Sequence, residues 1–287
     1  MMRKSTRAEI STSSLFLPSG TVEYSLVPPH DQVDFVTTTR SGTVGVSFSA
    51  HRRAVREIRS GPVTEGDIAP GSAFLTMSND LVWLRIQEPT EALEIDFDPA
   101  LIRSVAEELG ASRPVALPDV GPQGNLVIWA AAAVFRRAVL CQGAMEELEA
   151  TSRLRLLTAH ILRRYGGVLG RPRHKGLLDQ RRLQRVDDVI QSGLADPLPL
   201  ERLAAAAALS PFHLLRSFRR TTGLTPHAYV AARRMDQAMR LLKRPDLTIS
   251  EIAHQVGYTN VSHFRRVFHA HWGTGSDLSR LHGARVR

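Results

Sequence analysis

A chain of 287 residues with 43% hydrophobic and 23% charged side chains has the composition of ordinary globular domains, which excludes a disordered or fibrous chain and leaves room for two cores. No apolar run approaches the roughly 18 residues of a membrane span, and the opening MMRKSTRAEISTSSLFLPSG lacks the apolar stretch of a signal peptide, so a cytoplasmic protein without a membrane partner is expected. The net charge is +9, and the single cysteine, Cys141, excludes an internal disulfide.

Residues 20–97 contain short alternating or apolar runs, VDFVTTT, GTVGVSFSA, SAFLTMS, LVWLRIQ and ALEIDF, punctuated by Pro28-Pro29, Gly61-Pro62 and Pro70-Gly71. Short strands at such spacing predict a small β-barrel or sandwich. Only His30 and His51 fall among these runs, with no His-x-His pair, so no metal site and no cofactor are expected. Ser-x-x-Lys, Gly-x-Ser-x-Gly and Gly-rich phosphate loops are absent as well, which argues against an enzyme. Trp83 and Arg85 are candidate linings of a ligand cavity, with plain core packing as the alternative.

Two helices are expected next. Val127, Ala131, Val134, Phe135 and Ala138 make one stripe, and Leu154, Leu157, Ile161, Leu162 and Tyr165 another, suited to packing on the strands or to pairing with a second subunit. GGVLGRPRHKG, residues 166–176, reads as a flexible basic linker. The domain division expected is a sensory barrel-like domain at 1–125, a helical dimerisation or packing region at 126–165, a linker at 166–177 and a third segment at 178–281.

Charge changes at that linker. Residues 1–170 hold 17 Lys and Arg against 19 Asp and Glu, net −2; residues 171–287 hold 20 against 9, net +11, with eight of the eleven histidines. Such asymmetry points to a polyanionic partner for the second half. Charge alone leaves DNA, RNA and an anionic membrane open.

The second half contains an internal repeat. Leu200, Leu203, Ala204, Ala208, Leu209 and Ser210 align with Ile249, Ile252, Ala253, Gly257, Tyr258 and Thr259 at an offset of 49, and His213, Leu214, Arg216, Phe218 and Gly223 with His263, Phe264, Arg266, Phe268 and Gly273 at an offset of 50. Each copy reads as two helices around a tight turn, with helix-turn-helix spans at 200–221 and 249–271. Gly257 suits the turn because it reaches the left-handed conformation without a Cβ clash. Ala208 stands at the same place in the first copy, where a positive φ would cost on the order of 1 kcal/mol. Ser250 or Thr248 is placed to cap one helix and Thr259 or Asn260 the next. Between the copies, Thr225-Pro226 opens a helix of about five turns, roughly 27 Å, carrying Ala231, Met235, Ala238 and Leu242 on one face.

The segments ALSPFHLLRSFRRTTGLTPHAY, RRMDQAMRLL, TISEIAHQVGYTNVSHFRRVF and HWG resemble, in order and spacing, the DNA-binding domain of AraC/XylS-type transcription regulators over residues 178–281. The end departs from that pattern, GTGSDLSR standing where the family has Gly-x-[Ser/Thr]-Pro-x-x-Tyr-Arg. The resemblance implies an α+β protein of two domains: an N-terminal cupin-like β-barrel with a helical extension, and an all-α C-terminal domain of two helix-turn-helix units joined by a long helix. It further implies a homodimer, promoter double-stranded DNA and RNA polymerase as partners, a small-molecule effector and transcription activation. A constitutive dimeric DNA binder without ligand is the alternative. An enzyme fused to a DNA-binding module would need a reactive thiol, and Cys141 sits in an apolar helix.

Arg216 and Arg266, equivalent in the repeat, suit guanine O6/N7 or phosphate. Phe212 and Leu215, with Pro211, give the first unit an apolar reading surface suited to a thymine methyl, although Phe212 has core packing as its alternative. Val261, Ser262, His263 and Arg265 give the second a more polar one, His263 being equally suited to a structural role. Ser210, Arg219, Arg220, Arg244, Thr259 and Asn260 are candidates for phosphate contacts.

Overall fold

The computed structural model describes residues 11–27, 37–58, 61–78, 80–86, 89–141, 145–168, 176–242, 244 and 246–272, with the backbone alone at 37 and 83–85. The chain divides into two units, one of Met1–Val139 and Met145–Arg173, the other of Leu140–Ala144 and His174–Arg287. No helix among the described residues is long and apolar enough to cross a membrane.

Alternation of side chains builds the first unit. Its strands are β1 (Ser11–Leu17), β2 (Gly20–Val27), β3 (Thr37–Thr39), β4 (Thr43–Ser47), β5 (His51–Ile58), β6 (Val63–Ile68), β7 (Ser72–Thr76), β8 (Leu81–Arg85) and β9 (Thr90–Phe97), with β10 (Val120–Gly124) following helix α1 (Pro99–Glu108). They form two antiparallel sheets, a six-stranded one in the order β1-β2-β9-β4-β7-β10 and a four-stranded one in the order β3-β8-β5-β6. This corrects the expected barrel: among the described residues both sheets are open, because β1, β10, β3 and β6 each end a sheet with one edge unpaired. In β9, Leu93, Ile95 and Phe97 are buried on one face of the large sheet, while Ala92 and Glu94 turn to the other. Between the sheets, Val27, Ala54, Ile68, Phe74, Leu81 and Ile86 form a core.

Helix α2 (Leu126–Leu140) departs from the single stripe read in its sequence. Leu126 through Ala133 are all buried, together with Phe135 and Arg136, whereas Val134 and Ala138 of the expected stripe are only half-buried. Arg136 is 1% exposed and pairs with Glu91 at 3.2 Å; its guanidinium lies 3.6 Å over the Phe48 ring, and the Tyr24 hydroxyl donates to the same Glu91 Oε1. In helix α3 (Glu147–Arg164) the stripe of Leu154, Leu157, Ile161 and Leu162 is buried as expected. Tyr165, the last residue of that expected stripe, is half-buried at the end of α3.

The second unit is helical: α4 (Gln180–Ser192), α5 (Leu200–Ala206), α6 (Pro211–Thr222), α7 (Pro226–Leu241), α8 (Ile249–Gln255) and α9 (Val261–Trp272). Polar side chains fix the starts. Asp179, Ser210 and Thr225 accept from backbone N–H groups of α4, α6 and α7, Pro211 and Pro226 hold the first helical position, and Thr248 with Glu251 forms a reciprocal capping box on α8. Asn260 Oδ1 accepts from the His263 N–H and starts α9; Thr248 and Asn260 thus cap where Ser250 and Thr259 were the alternatives.

Helix α7 is 16 residues, about 24 Å and slightly shorter than the sequence suggested. Its buried face contains Met235, Ala238 and Leu242 as expected, whereas Ala231 is half-buried and Ala232 takes a buried place. Tyr229 packs edge-on against Phe218 of α6 at 5.6 Å, while Met235 and Ala238 join Ile252, Ala253, Phe264 and Phe268 of the second helix pair.

The turn between α5 and α6 has Ala208 at φ 51°, and that between α8 and α9 has Gly257 at φ 78°. A Cβ on Gly257 would lie 2.9 Å from the Ala195 carbonyl oxygen and 2.8 Å from Arg234 Nη2. Ala208→Gly is therefore expected to stabilise the chain by up to about 1 kcal/mol, strain relief exceeding the added freedom of the unfolded chain. Gly257→Ala is expected to destabilise it by more than about 1 kcal/mol. Denaturant midpoints moving in the same direction for both would contradict this account.

Candidate nucleic-acid interface

Within each repeated helix pair, the first helix buries its apolar stripe and the second presents an outer face. Leu203, Ala204 and Ala207 precede the first turn, with Leu214 and Phe218 after it; Ile252, Ala253 and Val256 precede the second turn, with Phe264 and Phe268 after it. All ten are at most 1% exposed, so burial phases α6 and α9 alike and leaves equivalent positions outside.

Those outer positions are the ones singled out in the sequence. On α6, Phe212, Leu215, Arg216, Arg219 and Arg220 are exposed. Phe212 is 68% exposed, so its core-packing alternative does not hold. On α9, Ser262, His263, Arg265 and Arg266 are exposed and Val261 is half-buried. Both helices carry a histidine in the third position after the cap: the His213 ring bonds Ser210 Oγ at 2.8 Å, and the His263 ring packs edge-on against Tyr258 at 5.5 Å. The side-chain oxygens of Ser210 and Asn260 serve as caps, which fixes the helix starts beside them. Thr259 is exposed next to Asn260, and Arg244, exposed between α7 and α8, pairs with Asp246 at 2.6 Å. The closing segment beyond residue 272 lies outside the described residues.

Arg234 of α7 fixes the second turn. Its guanidinium donates to the carbonyls of Leu194 at 2.9 Å, Asp196 at 2.7 Å and Gly257 at 3.3 Å. One turn earlier, the buried Tyr229 hydroxyl donates to Asp187 of α4 and accepts from Arg233 Nε, both at 3.0 Å. Sequence reading missed these residues because they lie inside a helix whose apolar stripe alone was traced.

The first unit holds a second candidate site. A cavity of about 190 Å³ lies between the two sheets, lined by Val27, Ile68, Phe74, Ile86 and Ala92 and by the polar Thr12, Glu23, Ser25, Thr38, Ser47, His51, Thr90 and Glu94. The side chains of Trp83 and Arg85, the candidates expected there, lie outside the described residues. Thr39 donates to Glu94 Oε1 at 2.6 Å, and Glu23 stands directly opposite Glu94 in the β2–β9 register. Burial, reinforced by the Glu23 charge, pushes the Glu94 carboxyl up to about 7 against the opposing effects of the Thr39 hydrogen bond and Arg40. A raised carboxyl contributes stability that is full below its unfolded value near 4.5 and is lost as pH rises through about 7. Glu94→Gln should remove that loss, so its advantage in melting temperature over the wild type should grow between these pH values. Parallel profiles in thermal unfolding would contradict this.

Residues 203–275 match the family model of a helix-turn-helix domain. Among curated relatives, the transcriptional activator NphR of a Rhodococcus species is 33% identical over 105 residues, 36% of this chain and 31% of that protein. The MmsAB operon regulatory protein of Pseudomonas aeruginosa is 33% identical over 121 residues, 42% of this chain and 36% of that protein. The chain thus spans about a third of the length of these relatives. A solved structure described as a probable AraC family transcriptional regulator from Rhodopseudomonas palustris is similar at 24% identity and a TM-score of 0.33, covering 36% of this chain and 95% of that one. The repeated helix pairs and the helix that joins them thus form a helix-turn-helix domain similar to those of these transcription regulators.

Proposed function

We propose that the chain is a sequence-specific, DNA-binding transcription regulator whose helices α6 and α9 enter successive major grooves of one duplex. The observation that carries this is the pair of equivalent exposed faces, with Arg216 and Arg266 at matching positions, in a segment of net charge +11. Successive grooves on one face of DNA lie about 34 Å apart, a spacing that two small units held by α7 are suited to bridge.

The two faces read differently. Arg216 and Arg266 take guanine O6/N7 or a nearby phosphate; Phe212 and Leu215 contact thymine methyls; Val261, Ser262, His263 and Arg265 offer the second half-site a hydrogen-bonding surface. Arg219, Arg220 and Arg244, with Ser210, Thr259 and Asn260 at the helix starts, hold phosphates and set the register.

The domain roles follow the sequence division: a sensory part at 1–125, a dimerisation or packing region at 126–165, a linker at 166–177 and the DNA-binding part at 178–281. The inter-sheet cavity supports a small-molecule effector bound by the sensory part. Family resemblance alone supports activation through RNA polymerase, a homodimer and a cytoplasmic location.

Selection of bound duplexes from a random library, followed by affinity measurements over a salt series, tests the reading. Arg266→Ala should weaken binding to the selected site by about 1–3 kcal/mol, and unchanged affinity would remove its assigned role. Phe212→Ala should lower affinity for thymine-containing first half-sites without moving the melting temperature, since its side chain is mostly solvent-exposed. An interaction insensitive to salt would overturn the proposal, because phosphate neutralisation must release counterions.

A further inference from the structure

The chemistry of the inter-sheet cavity specifies what it accepts. Its floor is apolar, with Phe74 from the large sheet facing Ile68 and Ile86 from the small one. A cavity of about 190 Å³ compares with the 150 Å³ or so that takes up benzene, so a body of roughly eight to ten non-hydrogen atoms fits. Its ionisable wall is acidic. Glu23 and Glu94 stand side by side on paired strands, an arrangement that is unfavourable without a cation or a proton between them.

No Lys or Arg is among the described lining residues, and Arg40, which is not one of them, favours the charged form of Glu94. His51 is 2% exposed, and its Nε2 lies 3.2 Å from Ser47 Oγ. Thr39 already occupies one oxygen of Glu94, which positions the carboxyl. An anionic ligand would meet two carboxyls, whereas an ammonium group would relieve their repulsion and replace its lost hydration with charge-assisted hydrogen bonds.

We propose that this cavity binds a compact organic cation, an apolar body ending in a protonated amine, with the ammonium held by Glu94 and Glu23 and the body against Phe74, Ile68 and Ile86. This names the effector class of the regulator read above and rests on that reading for its consequence. The bond is ionic and reversible, and no covalent step is involved.

Thermal unfolding and calorimetric titration of the full chain with 2-phenylethylamine, phenylacetate and 2-phenylethanol test the assignment. The amine should raise the melting temperature by about 5 °C at a hundred times its Kd, and neither the acid nor the alcohol should match it. Glu94→Gln should weaken the amine at least tenfold. Glu23→Gln, at an exposed position, should weaken it as well and provides the same test if Glu94→Gln does not fold. The assignment is overturned if the acid or alcohol binds as tightly, if the folded variants keep wild-type amine affinity, or if none of the three probes binds. DNA affinity measured on the same preparation separates the two proposals. Salt-sensitive DNA binding with no amine response removes the ligand class and keeps the regulator, whereas amine binding without DNA binding does the reverse.

Discussion

Helix α7 is the constraint on which both helix pairs depend, and Arg234 is its central fixture. The guanidinium satisfies three backbone carbonyls, two in the segment after α4 and one in the turn between α8 and α9. Five N–H donors in a rigid fork can serve diverging acceptors in a way that a lysine ammonium cannot. One helical turn away, Tyr229 and Arg233 fasten the same helix to Asp187 of α4. Placement of the two exposed faces is thus a property of one helix and a few hydrogen bonds, in addition to apolar packing.

The two helix pairs are repeats with unequal solutions. Glycine relieves the second turn, while alanine holds the first in a left-handed conformation. The close approach of Arg234 and the Ala195 carbonyl to Gly257 leaves no space for a Cβ there. The difference extends to the outer faces: α6 exposes Phe212 and Leu215 where α9 exposes Ser262 and Arg265. A duplicated framework has therefore kept its core positions and diversified its solvent-facing ones, as expected where burial constrains one side of a helix and a partner constrains the other.

In the sheet unit, the two faces of one strand meet different demands. The buried Glu91 of β9 is matched by Arg136, the Tyr24 hydroxyl and, beneath the guanidinium, the Phe48 ring. Removing one member of such a buried pair typically costs about 3–5 kcal/mol, so this cluster is strongly interdependent. Three residues along, Glu94 turns to the inter-sheet side and meets Glu23 with no comparable cation in the described lining. One carboxylate is thus paired with a guanidinium, and the other is met by the Thr39 hydroxyl.

The helical unit was the more legible part. Its duplicated pattern, Pro and Ser/Thr helix starts and 3.6-residue apolar period are local signals, and they located the helix pairs, the joining helix and the exposed arginines. The strands of the first unit were less so. Ser- and Thr-rich β1 has no apolar alternation, and the register of β5 is interrupted between His51 and Ala54, with Arg53 at φ 50°. Burial of α2 on every side from Leu126 to Ala133 hides its period there, because a helix segment enclosed all round has no polar face to mark one. What the sequence by itself determined was the helix-pair architecture and the residues on its outer faces, since both follow from short-range periodicity and capping. Only the tertiary structure decided that the sheets stay open among the described residues, that Arg234 anchors the second turn, and that Glu94 faces a cavity. Alternation tells which residues share a strand face, whereas what covers that face depends on strands distant in sequence.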